Sequence, residues 1–111
     1  MSAVPDISEV VILDLDPQAG HEQQGRRPAL VLSPKTFNQQ TGFAWVCPIT
    51  NEVKGYPFEV KVTGSRKTTG VVLADQLKSL DWSARKVRIV DQVNQDCLSQ
   101  VQSLIHTILG M

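Results

Sequence analysis

Four residues in one short stretch carry groups suited to phosphodiester chemistry: His21, Glu22, Arg26 and Arg27, within the string DLDPQAGHEQQGRRPALVLS at residues 14–33. A carboxylate accepts a proton, an imidazole carries one near neutral pH, and guanidinium groups grip phosphate oxygens. Together these are the parts needed to cut RNA by internal transesterification. A general base takes the proton from a ribose 2′-hydroxyl, a cation stabilises the charge on pentacovalent phosphorus, and an acid protonates the departing 5′-oxygen. No metal is required for those steps. The same residues also admit a plain reading, in which Glu22 and an arginine form a surface ion pair of little energetic value and His21 is merely exposed. The loop by itself leaves both readings open.

A polar loop of this kind needs a rigid scaffold to aim its side chains. Residues 10–15 are β-branched and apolar, 29–32 form a short apolar run, and 43–49 are a third strand candidate. Phe58, Val60 and Val62 alternate with Glu59, Lys61 and Thr63, the period-2 pattern of a strand with one buried face. Residues 70–74 and 87–90 bring the expected count to about six strands, spaced as in a small barrel. Asp16-Pro17 with Gly20, Ser33-Pro34, Thr41-Gly42, Lys54-Gly55 and Thr63-Gly64 supply turns. A single long helix is expected from Asn94 as N-cap to Leu109, because Leu98, Val101, Ile105 and Ile108 recur at helical spacing and Gly110 stops it. Its apolar stripe is expected to face the core. The fold class is therefore mainly β with a C-terminal helix.

The 111 residues leave room for one domain, 1–111, and the composition is that of an ordinary globular chain. No apolar run is long enough for a membrane span and residues 1–6 lack a leader pattern, so a cytoplasmic protein without membrane partners is expected. Cys47 and Cys97 are too few for a disulfide framework and read as reduced packing residues. The two histidines, His21 and His106, lack ligand partners at metal-binding spacing, so neither metal nor cofactor is expected. Glycine-rich phosphate loops and nucleophile elbows are also absent from the sequence. Net charge is zero but unevenly placed: residues 26–90 hold all 11 bases against four acids, a net +7. Such a segment permits binding of a polyanion, although scattered solvating charge is the simpler account of it. Of the aromatics, Trp45, Trp82, Phe43 and Phe58 are expected in the core, whereas Phe37 and Tyr56 lie beside loops where a base could stack.

Five segments resemble one known family in order and spacing. They are GHEQQGRRPALVLSP (20–34), PIT (48–50), KGYPFEV (54–60), GVVLADQLKSLDW (70–82) and the closing helix. Together they look like the MazF/PemK toxins, and the likeness spans nearly the whole chain. The resemblance implies a half-open barrel similar to CcdB and PemK. It also implies a homodimer, cleavage of single-stranded RNA to 2′,3′-cyclic phosphate and 5′-hydroxyl ends, and a cognate antitoxin with an acidic, flexible tail. Carried over by motif, Glu22 is implied as the base, Arg27 as transition-state stabiliser and proton donor, and Thr50 as a hydroxyl donor to phosphate. His21 is implied as a supporting phosphate contact; Arg26, by residue type alone, is a further substrate-binding candidate. Asp75 matches an aspartate of PemK-like members, but Leu73 stands where those members carry arginine, so Asp75 is assigned a substrate contact. The same resemblance keeps two alternatives in view: a CcdB-like toxin that inhibits DNA gyrase by binding, and an RNA-binding module without catalysis.

Overall fold

The computed structural model describes residues 3–15 and 25–111. Seven strands appear among them: β1 Glu9–Asp14, β2 Arg26–Val31, β3 Phe43–Thr50, β4 Glu59–Lys61, β5 Val71–Leu73, β6 Lys78–Asp81 and β7 Arg88–Gln92. Two helices join them, α1 Lys35–Thr41 and α2 Gln95–Ile108, with a 3-10 turn at Ala74–Gln76. The strands form one antiparallel sheet in the order β4-β5-β3-β2-β1-β7, with β6 also paired to β3. β3 serves two partners along one edge: its first half pairs with β6 (Phe43 opposite Asp81) and its end with β5 (Thr50 opposite Val71). β4 and β7 end the order without pairing to each other, and the barrel stays half open.

Alternation along the strands splits the buried residues into two cores, one on each face of the sheet. Val10, Leu30, Cys47, Ile49, Val60 and Val72 point one way and are covered by Cys97, Leu98 and Val101 of α2. Val11, Leu13, Ala29, Val31, Val46 and Leu80 point the other way. Helix α2 begins where expected, because the Asn94 side chain accepts a hydrogen bond from the Cys97 N–H at 2.9 Å. Its stripe faces the core only in part: Ile108 and Leu109, at the far end, are exposed. Both cysteines are free and buried, and burial, aided by the charge of Asp75, pushes the Cys47 thiol up to about 12.

Two elements exceed the expectation from sequence. Helix α1 is seven residues long, too short to show a periodic stripe, and Pro34 at its N-cap makes no side-chain cap. It is held instead by Asn38, fully buried, whose amide donates to the carbonyls of Pro5 and Ser33 while its oxygen accepts from the Ser33 hydroxyl. Strand β6 has a single apolar residue, Leu80, and so lacks the alternation that marks a strand. It exists because β3 offers it an edge.

Candidate active site at the strand ends

β2 and β3 run antiparallel with Ala29 opposite Pro48. Arg27 and Thr50 each lie two residues beyond that pair, at the same end of the two strands and on the same face as it. Arg27 is exposed opposite Leu13 of β1, while Thr50 is buried and its hydroxyl accepts the Glu52 N–H at 3.1 Å. Gly70 lies against this corner. With φ at +104°, a Cβ there would come within 2.3 Å of the Thr50 carbonyl oxygen, so the chain can cross β3 here only as glycine. His21 and Glu22 lie outside the described residues. The ends of the segment that carries them are tied together, the Leu15 N–H donating to the Gly25 carbonyl at 2.9 Å. Leu15 and Gly25, the described residues on either side of that segment, are thus held together just before β2 begins.

On the other side of Thr50, a recess of about 50 Å³ is lined by Glu52, Lys54, Tyr56 and Gln76. The Tyr56 hydroxyl donates to the Asp75 carboxylate. That bond, with some burial and the nearby charges of Asp75 and Glu59, raises the phenol above its ordinary value. Tyr56 is positioned by Glu59, whose carboxylate accepts from the backbone N–H groups of Lys54, Gly55 and Tyr56 at 2.9, 2.9 and 3.3 Å. Sequence reasoning missed this anchor. Its signal was the outward place of Glu59 in the alternation of β4, which marks a solvent-side residue and says nothing of a loop folding back onto it.

The other expected site residues fall elsewhere. The Arg26 guanidinium reaches across to the turn before β7 and donates to the Lys86 carbonyl at 2.7 Å and the Arg85 carbonyl at 3.5 Å, so it braces the barrel. Phe37, on α1, lines a cavity of about 380 Å³ with Leu32, Trp45, Leu77 and Ile105. That cavity adjoins the opposite end of β2, roughly 20 Å from Arg27 at about 3.3 Å per residue. Trp45 and Phe43, expected in the core, are 41% and 44% exposed on the same side of the molecule. Among the described residues no group of three or more His, Cys, Asp or Glu side chains is placed to hold a metal, and no helix is long and apolar enough to cross a membrane.

An arginine and a hydroxyl at one strand end, flanked by a tyrosine–aspartate pair, can grip a phosphate. The chain matches, over residues 7–109, the family model of PemK-like, MazF-like toxins of type II toxin–antitoxin systems. It is similar to the endoribonuclease toxin MazF of Escherichia coli (strain K12), at 42% identity over 96% of both chains. Among solved structures, that of MazF from Deinococcus radiodurans is similar with a TM-score of 0.94 and 47% identity, covering 99% of this chain and 100% of that one. A MazE–MazF structure from the same organism is similar at TM-score 0.86 and 41% identity, covering 99% of each chain.

Proposed function

The chain belongs to the PemK-like, MazF-like toxins of type II toxin–antitoxin systems, and from that premise we propose that it is a sequence-specific endoribonuclease acting on single-stranded RNA in the cytoplasm, without metal or ribosome. The observation that carries this reading is the placement of Arg27 and Thr50 at one end of β2 and β3, beside the point where the segment bearing Glu22 leaves the sheet. Glu22 takes the proton of the ribose 2′-hydroxyl, and the 2′-oxygen attacks phosphorus. Arg27 neutralises the charge that builds on the phosphoryl oxygens, the Thr50 hydroxyl donates to one of them, and His21 is a further phosphate contact. The bond to the 5′-oxygen breaks as Arg27 donates a proton to it, leaving a 2′,3′-cyclic phosphate and a 5′-hydroxyl; the proton held by Glu22 then passes to water and solvent reprotonates Arg27. Tyr56 and Asp75, joined by their hydrogen bond, form one unit for contacting the substrate beside the scissile bond.

The test is to incubate the purified protein with a long single-stranded RNA in excess chelator and to sequence the new ends. Discrete cuts bearing 5′-hydroxyl and 2′,3′-cyclic phosphate ends are expected. Bound but intact RNA would leave a binding module, and intact RNA with inhibited gyrase would favour the CcdB-like alternative.

A homodimer is part of the proposal, supported by a continuous exposed apolar face. Trp45, Leu77 and Ile105 line both the cavity beside Phe37 and a second one of about 210 Å³ reaching Ile108, Leu109 and Asp75. An apolar face of this kind marks a protein contact, and Asp75 at its rim would bring the site to the interface. Sedimentation is expected to give about twice the 12.2 kDa chain mass; a monomer fully active at nanomolar concentration would defeat this part. The cognate antitoxin is expected to lay an acidic tail over the phosphate-binding groups and so to inhibit in competition with RNA.

A further inference from the structure

A second groove, of about 600 Å³, opens on the reverse face of the same strand ends. Its floor is a row across three strands, since Ile12 of β1 lies opposite Pro28 of β2 on one side and Arg88 of β7 on the other. The register between β1 and β7 slips after Val10, where Val90 has no partner, and Val90 joins the floor. The facing wall is the loop that carries Lys67, Thr68 and Thr69.

That loop is held at both ends by side chains. The Asp91 carboxylate accepts the N–H groups of Arg66, Lys67 and Thr68 at 2.9, 2.8 and 2.9 Å and the Thr68 hydroxyl at 2.9 Å. Burial raises the Asp91 carboxyl, but these bonds together with the Gln92 N–H outweigh it and hold the group well below the usual carboxylate range. At the other end the Thr69 hydroxyl donates to the Asn51 side-chain oxygen at 2.9 Å. Two cations, Lys67 and Arg88, thus line a groove whose apolar floor is Ile12, Pro28 and Val90.

We propose that this groove is a subsite for the sugar–phosphate backbone of the RNA outside the cleaved bond, with Lys67 and Arg88 as its phosphate contacts and Asp91 as the residue that positions the loop. The proposal rests on the reading of the protein as an RNA-cleaving enzyme and adds a place for the substrate which that reading does not need. Continuity favours RNA as the occupant: Pro28 and Asn51, on the groove, are the immediate neighbours of Arg27 and Thr50, so a strand rounding the strand ends passes from one face to the other. Among the described residues that line the groove, none is an aromatic on which a base could stack. It therefore adds affinity for flanking nucleotides and little choice of base.

The test compares two uncleavable RNAs, each with one 2′-deoxy sugar at the cut site, one short and one extended on both sides. The unsubstituted protein is expected to bind the extended RNA about 10-fold more tightly. The Lys67→Gln/Arg88→Gln protein, altered at two exposed positions, should bind both equally and lose about 1.4 from the slope of log affinity against log salt, at about 0.7 per phosphate contact. Cleavage of the short, all-ribose RNA should keep its kcat. Asp91→Asn should weaken extended-RNA binding in the same way, again with kcat on the short RNA retained.

An unchanged length dependence and salt slope in the double variant would overturn the subsite while leaving the enzymatic reading intact. So would a loss seen only with an acidic peptide that imitates an antitoxin tail. Failure of the unsubstituted protein to bind or cut any RNA would overturn both readings together.

Discussion

Arg27→Ala and Glu22→Gln should each reduce the single-turnover rate of RNA cleavage by about 100-fold or more, the usual worth of one positioned acid–base or charge-stabilising group. Arg27 is exposed at the start of β2, so its loss opens no cavity and the folded barrel should survive, which circular dichroism will show. In the proposed role its contribution grows as negative charge builds on the phosphoryl oxygens, so the fall should appear in kcat more than in KM. Arg27→Lys keeps the charge but replaces a planar fork with a point donor, and recovery should be partial. Glu22→Gln preserves size and removes the proton acceptor. A rate near that of the unsubstituted protein in either single variant would take that residue out of the chemical step.

Replacing one ribose by its 2′-deoxy form, on the 5′ side of the scissile phosphate, should abolish cutting at that bond while leaving binding nearly intact. The proposed mechanism draws its nucleophile from the substrate, so deleting one oxygen would remove the attacking atom and no side chain could stand in for it. All other contacts, to phosphates and base edges, are kept. End-labelled RNA with the single substitution, compared with its all-ribose twin, gives the measurement, and cuts elsewhere in the same strand serve as internal control. Efficient cleavage at the deoxy position would mean attack by water. The product would then carry a 3′-phosphate formed without a cyclic intermediate, and the role given to Glu22 would pass from activating the 2′-hydroxyl to activating water.

How far the sequence speaks for itself depends on whether the pattern that builds a feature is local. Strands β1, β2, β3 and β4 were legible because their apolar residues repeat within the strand, and α2 because Asn94, Leu98 and Val101 follow the period of a helix. The loop bearing Glu22 and Arg27 stood out for a similar reason: its chemistry is concentrated in a few consecutive residues. Where a feature is made by distant partners, no such pattern exists. Strand β6 depends on the edge of β3, and α1 depends on Asn38 reaching Pro5 and Ser33. Tyr56 and Asp75, 19 residues apart, were separate candidates until the fold closed a hydrogen bond between them.

The two arginines show the same division most sharply. Residue type and position in the motif made Arg26 and Arg27 nearly equivalent phosphate binders, and one peptide bond separates them. Alternation along β2 then sends them to opposite faces, where Arg26 meets the carbonyls of Arg85 and Lys86 from a turn about 60 residues away, and Arg27 stays at the strand end with Thr50. Trp45, expected in the core, lies exposed, and Phe37, a candidate base contact, lines the same apolar cavity with it. By itself the sequence determined which chemical groups the chain owns and which stretches form its local elements, because those are properties of neighbours along the chain. Only the tertiary structure decided which groups meet, because register and sheet order bring together residues whose separation along the chain holds no trace of the contact.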